Sequence, residues 1–184
     1  MIKPGDIVVI EFGHNDGSPL YPTGNGTSNG RGDCPGDSNE TCLDVYQNQT
    51  VNVQTYHTYI TAAGKNFTSK GAHVIINSPT PTNPWEFGSY AYSGFGNYTA
   101  YAKAAAEAIG KNASYVDHGR ACADAFRVLG QFVTDQMFPH DHTHTSVAGA
   151  NVQARTFVEA VRKDWNGTTG LKQYLTSNWT SIFV

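Results

Sequence analysis

The run Asp6-Ile7-Val8-Val9-Ile10-Glu11-Phe12 restricts the possible folds of this chain more than any other segment. It is short, β-branched and almost continuously apolar, without the in-and-out alternation of a strand that faces water on one side. Such a run reads as a strand covered on both faces in a parallel sheet. Parallel strands need long crossovers, and helical segments follow. Val53, Tyr56, Ile60, Ala63 and Phe67 recur at helical spacing, closed by Lys70-Gly71. A second strand is predicted over Ala72 to Asn77, beyond which Pro79, Pro81 and Pro84 forbid continuation. An Ala-rich helix over Tyr98 to Ile109 stops at Gly110. It leads to a short strand, Tyr115-Val116-Asp117, a helix over Ala121 to Leu129, and a last helix from about Val147 to Trp165. The order βαβαβα predicts one α/β domain over residues 1–184, a three-layer αβα arrangement around a parallel sheet. The roughly 40 residues after the first strand, rich in Gly, Asn, Ser and Thr, read as a long loop.

The first strand poses a question of its own. The only obvious sequence neighbour for it is the Ala72 strand, and natural proteins cover or charge an apolar edge. An upstream segment, a later segment or a partner chain is therefore expected beside it.

Composition excludes several functions. With 184 residues, 39% of them hydrophobic, the chain can bury a core. A net charge of −3 with only 15% charged residues leaves no basic footprint for nucleic acid or an anionic membrane surface. No apolar run reaches the roughly 18 to 20 residues that a membrane span needs. The first six residues lack the apolar centre of a signal peptide. Eight glycosylation sequons nevertheless occur, at Asn25, Asn39, Asn48, Asn66, Asn97, Asn112, Asn166 and Asn178. The 14 asparagines and 30 Ser plus Thr residues would give roughly two or three by chance, so the excess points to a secreted glycoprotein. Cys34 and Cys42 bracket a Gly/Asp/Ser/Asn-rich stretch closely enough to staple a loop, as an oxidising compartment permits. Cys122 is left over in a predicted helix and reads as a buried free thiol.

Two places concentrate chemistry. Gly13-His14-Asn15-Asp16 directly follows the first strand, and ligands of open α/β sheets sit at the carboxyl ends of strands. An Asn amide held there can donate to a developing oxyanion. The bland reading is a turn, for which Asn-Asp-Gly is well suited. The second place is Phe138-Pro139-His140-Asp141-His142-Thr143-His144-Thr145-Ser146. Asp141 can fold back onto the His144 Nδ1–H and leave Nε2 facing a nucleophile, which is two-thirds of a catalytic triad. Metal binding by the alternating His140, His142 and His144 is a rival reading. A solvated loop with Ser146 as the N-cap of the next helix is the bland one.

A strand ending in Gly-X-Asn-Asp, followed by Asp-X-X-His before a last helix, resembles the SGNH (GDSL-type) hydrolase pattern, whose fold is a flavodoxin-like parallel sheet. The closer likeness is to the rhamnogalacturonan acetylesterases. It rests on Val8 to Gly17, on Cys34 and Cys42, on Pro81-Thr82-Asn83-Pro84-Trp85-Glu86, and on Asp141 to Ser146 with Ala148-Gly149-Ala150. The resemblance implies that His144 is the general base and then the general acid, that Asp141 orients it, and that Asn15 is an oxyanion donor. It also places Gly13, Asp16, Asn83 and Trp85 in the substrate site and requires no metal and no cofactor. The implied substrate is an acetylated plant cell-wall polysaccharide, and the implied setting is extracellular. Tyr90 and Tyr92, with Trp85, are candidates for stacking on sugars.

The family's sheet opens with a strand ending in Gly-Asp-Ser, which carries the nucleophile, and a second strand carries a further glycine donor. This sequence begins where the family's third strand begins, so an N-terminally truncated chain is expected, inactive alone and monomeric when complete. Gly36-Asp37-Ser38 has no apolar strand before it and reads as coincidence. The alternative is a carbohydrate-binding relative that has lost the chemistry.

Overall fold

The structure is a computed structural model that describes residues 1–20, 30–163 and 168–177. It is a mixed α/β fold with a parallel sheet, as expected. The elements run β1 (Ile7–Ile10), β2 (Thr41–Tyr46), β3 (Gln49–Gln54), α1 (Tyr56–Thr68), β4 (His73–Asn77), α2 (Tyr98–Ile109), β5 (Ala113–Val116), α3 (His118–Leu129), α4 (Gln131–Asp135) and α5 (Val147–Arg162), with a 3₁₀ turn at Lys172–Tyr174. None of these helices is long and apolar enough to cross a membrane.

The main sheet has the order β1-β4-β5. β1 and β4 are parallel, with Ile7 opposite His73 and Ile10 opposite Ile76. The β4–β5 pairing also advances in step, from Val74 N–H to Asn112 O (2.9 Å) to Ser78 N–H to Val116 O (3.0 Å). Val74, Ile75 and Ile76 in the central strand are fully buried, which is what their unbroken apolar run requires. β1 pairs only with β4 among the described strands, and its Val9 is 46% exposed, so the run that reads as interior lies at an edge of this sheet.

The chain forms two compact units, one of Met1–Ile76 with Ala100–Tyr115, the other of Asn77–Thr99 with the residues from Val116 onward. In the first, α1 approaches α2 at Gly64, where a Cβ would lie 2.2 Å from Ile109 Cδ1. In the second, α3 packs on α5. His118 Nε2 lies 2.8 Å from Gln153 O, and the Cys122 thiol lies 2.9 Å from Thr156 Oγ1. Cys122 is free and buried, as its helix setting predicts.

Several boundaries differ from expectation. The supposed long loop contains an antiparallel hairpin, β2 with β3, turned at Gln47 and Asn48, both with positive φ (51° and 61°) as a two-residue hairpin turn demands. Val53 therefore lies in a strand, and α1 begins at Tyr56. Thr55 is its N-cap, the hydroxyl accepting from Thr58 N–H. Asp117 likewise caps α3 by accepting from Arg120 N–H, so the third strand ends at Val116 and the helix starts three residues earlier than the apolar pattern suggests. α5 ends at Arg162; Trp165 lies outside the described residues. Cys34 and Cys42 are bonded to each other. Asn39, Asn48, Asn66, Asn97 and Asn112 are exposed, whereas Asn25, Asn166 and Asn178 lie outside the described residues.

Candidate active site

The second unit carries the Asp141–His144 pair. Asp141 sits on the irregular segment between α4 and α5, and its Oδ1 accepts from the backbone N–H groups of Thr143 and His144, both at 2.7 Å. Those two bonds fold the carboxylate back over its own turn, and Oδ2 then meets His144 Nδ1 at 2.7 Å. A carboxylate only accepts, so the ring proton is held on Nδ1 and the lone pair of Nε2 is left for another group. The His144 side chain is 80% exposed, and Nε2 bonds to nothing among the described residues. Ser146 caps α5 by accepting from Gly149 N–H (3.3 Å), as the bland reading of this segment expects.

The hydrogen bonds from His144 N–H, from its ring and from Thr143 N–H, in that order, hold the Asp141 carboxyl well below the usual carboxylate range. A depressed folded-state value means that the contact is fully made above the ordinary pKa of 3.8 and is lost only as pH falls through the lower, folded value. Titration of the Asp141 side-chain carbon by NMR is therefore expected to give a midpoint clearly below 3.8. A midpoint at or above that value would show the turn to be open in solution.

The segment is anchored from outside. Asn83 N–H donates to His142 O (2.7 Å), and His142 Nδ1 lies 3.0 Å from Glu86 Oε1. Asn83 has both ends of its amide engaged, Oδ1 accepting from Trp85 N–H (3.0 Å) and Nδ2 donating to Asp135 Oδ1 (2.8 Å). The Trp85 indole N–H donates to Phe126 O (2.9 Å), and its ring meets Tyr90 edge-on at 5.4 Å. Asn83 and Trp85 thus form a bracket that fixes the loop bearing the His–Asp pair. His142 and His144 are each drawn to a different carboxylate, and the described residues contain no group of three His, Cys, Asp or Glu side chains placed to hold a metal.

The first unit carries the Gly13–Asp16 turn. Gly13 is buried with φ +126°, a value that glycine adopts without strain, and lets the chain turn sharply after β1. Asn15 O accepts from Ser18 N–H and Ser18 Oγ, which closes the turn. Arg31 Nη1 donates to Asn15 Oδ1 at 3.2 Å. The guanidinium has no acceptor, so it fixes which way the amide faces and turns Nδ2 outward; that group donates to nothing among the described residues. Asp16 lines a cavity of about 310 Å³ with Arg31, Asp33, Asp44, Tyr46 and Tyr59. Burial first, and then the charge of Asp33, raises the Asp16 carboxyl above its ordinary value. Ser38 lies on an exposed turn where its N–H donates to Glu40 and its carbonyl accepts from Thr55 and Thr58, with no strand-to-helix turn around it.

The sequence pattern marks no role for Arg31 or Asp135, and for His142 only a place in the rival metal-binding reading. Each acts through a partner distant in sequence, and no local pattern marks such pairs.

A parallel sheet with a polar turn after its first strand and an Asp-X-X-His pair before its last helix defines an acyl-hydrolase type of α/β protein, and the chain belongs to the family of GDSL-like lipases/acylhydrolases, whose model matches residues 2–157. It is 45% identical over 161 residues to the rhamnogalacturonan acetylesterase of Emericella nidulans, an alignment covering 88% of this chain and 62% of that protein. The chain thus spans less than two-thirds of that relative. The crystal structure of protein YXIM from Bacillus subtilis shares the fold, with a TM-score of 0.60 at 19% identity over 91% of this chain and 39% of that one.

Proposed function

We propose that this chain provides the acid–base pair and one oxyanion donor of a serine-type carbohydrate esterase that removes acetyl groups from rhamnogalacturonan outside the cell. The observation that carries the reading is the 2.7 Å contact of Asp141 Oδ2 with His144 Nδ1, which leaves an exposed Nε2 in the correct tautomer to take a proton. Membership of an acylhydrolase family, and likeness to an acetylesterase, support the reaction type.

In this reading a serine hydroxyl attacks the acetyl carbonyl and gives its proton to His144 Nε2. The Asn15 Nδ2 group, aimed by Arg31, donates to the tetrahedral oxyanion. His144 then protonates the departing sugar oxygen, and water activated by the same imidazole releases acetate. Asp141 stays ionised and stabilises the imidazolium. Gly13 shapes the donor turn, Asp16 lines the adjoining cavity, and Asn83 and Trp85 hold the His144 loop against substrate. No step needs a metal or a cofactor. The exposed sequons and the Cys34–Cys42 bond fit an extracellular glycoprotein.

The only Gly-Asp-Ser serine among the described residues, Ser38, lies on an exposed turn, so the 184 residues alone are expected to release no acetate from acetylated rhamnogalacturonan, while a protein that also supplies the nucleophile does. Release measured enzymatically from both settles the matter. Turnover by the 184 residues alone, lost on His144→Ala, would place the nucleophile within them; saturable polysaccharide binding without turnover by the intact protein would make it a binding protein.

A further inference from the structure

The loop that carries Asp141 and His144 closes at its feet, where Ser146 N–H donates to Met137 O at 2.7 Å. Between the feet the backbone is irregular, so its shape depends on how each peptide is held. The peptide that joins His142 to Thr143 is held on both sides. Its carbonyl accepts from Asn83 N–H at 2.7 Å, and its N–H donates to Asp141 Oδ1 at 2.7 Å. One peptide plane therefore faces the Asn83 turn with one edge and aims the other at the carboxylate that meets His144 Nδ1.

A second contact reaches the same residue from the same turn. Glu86 Oε1 lies 3.0 Å from His142 Nδ1. Glu86 and Asn83 belong to one turn, closed by Glu86 N–H on Asn83 O (3.3 Å) and by Trp85 N–H on Asn83 Oδ1 (3.0 Å). That turn is rooted by the Trp85 indole N–H on Phe126 O (2.9 Å) and by Asn83 Nδ2 on Asp135 Oδ1 (2.8 Å). A single hydrogen bond to His142 O is a pivot about which the peptide can swing, and a side-chain tie from the same rooted turn removes that freedom. A carboxylate only accepts, so the His142 proton stays on Nδ1, and the tie is made by the neutral ring as well as by the imidazolium. The two side chains are partly exposed, 34% for Glu86 and 53% for His142, and an ion pair so placed contributes little to stability. Its use lies in orientation.

We propose that Glu86 is a positioning residue for His144. It holds His142, which keeps Thr143 N–H on the Asp141 carboxylate, which in turn keeps the His144 ring proton on Nδ1. The inference rests on the carbohydrate-esterase reading above and adds to it a carboxylate that acts on the base only through other residues.

The test reads the tautomer of His144 from the NMR signals of its ring nitrogens at about pH 8, above the ordinary imidazole range. The parent is expected to hold the Nδ1–H form, and Glu86→Ala to show a mixture of the two tautomers. Glu86→Gln, whose side-chain oxygen still accepts from His142 Nδ1, is expected to restore the parent signals. In a protein that also supplies the nucleophile, Glu86→Ala is expected to lower kcat about tenfold at unchanged KM, and Glu86→Gln to recover to within about threefold of the parent, as suits a small misplacement of the base. His142→Ala should match Glu86→Ala, and the double variant should be no slower than either, since the two side chains form one tie. The urea midpoint of Glu86→Ala should stay at that of the parent, which separates positioning from a contact that merely stabilises. An unchanged His144 tautomer in Glu86→Ala overturns the role of Glu86, whatever the midpoint does, and leaves the esterase reading standing. A parent His144 that itself holds both tautomers removes the contact on which that reading rests, and both fail.

Discussion

On the proposed esterase reading, replacing His144 with alanine is expected to lower kcat/KM for acetyl-ester hydrolysis about 10⁴-fold or more, the scale seen when the base of a Ser-His-Asp unit is removed. The fold is expected to be untouched, because the side chain is 80% exposed and bonds only to Asp141. Far-UV circular dichroism and the denaturation midpoint should match the parent protein. Asp141→Asn tests the same unit from its other end. An Asn there can present an N–H to His144 Nδ1 in place of the accepting Oδ2, which drives the ring proton to Nε2 and removes the base. The precedent for that tautomer change is a loss of about 10⁴ in kcat. The two side chains act as one device, so the double variant should be no slower than His144→Ala alone. Initial rates of acetate release decide the matter. A His144→Ala protein that keeps a tenth of the parent rate would mean that another group takes the proton.

The parts of this site that could be read in the sequence are those whose partners lie within one turn of chain. Asp141 and His144 are three residues apart on a segment too irregular to be helix, just before a residue suited to cap one, and the carboxylate needs only its own neighbours' N–H groups to fold back. β1 and β4 were legible because an unbroken β-branched run has few other uses. The hairpin of β2 and β3 was not legible, because its polarity is inverted. Leu43 is 65% exposed while Asp44 is 3% exposed, so the alternation that marks a half-buried strand points the wrong way. Asp44 is kept inside facing the cavity that Asp16 also lines, so the usual alternation is inverted there. Asp117 misled differently. Read as the last residue of a strand, it is the cap of the next helix, and its Oδ1 also accepts from the buried Ser78 hydroxyl at 2.8 Å. The contacts of Arg31 with Asn15 and Glu86 with His142 join segments far apart in sequence, and nothing local announces either.

The largest loss of stability from a single truncation is expected at Phe126. Its side chain is fully buried in a cluster with Cys122 and Phe138, against which Leu129, Met137 and Val152 pack, and its ring meets that of Phe138 edge-on at 5.5 Å. Phe126→Ala removes the ring from a site bounded by two helices and the segment after α4, which cannot all collapse onto the void. The expected cost is about 3 to 5 kcal/mol, transfer and cavity together. Urea denaturation should show it as a lower midpoint at an unchanged slope. Against a total of roughly 5 to 15 kcal/mol for a typical domain, such a loss leaves little in reserve. Val128→Ala, two residues along the same helix but 80% exposed, should stay within about 0.5 kcal/mol of the parent and controls for helix propensity. The consequence reaches the chemistry. Phe138 leads directly into the loop of the His–Asp pair, and Ser146 N–H returns to Met137 O at 2.7 Å, so both feet of that loop stand on this cluster. A loosened Phe138 should therefore lower kcat at temperatures where the variant is still folded. A Phe126→Ala protein that loses less than about 1 kcal/mol would show that the cluster relaxes to fill the space, far below the usual cost of such a truncation.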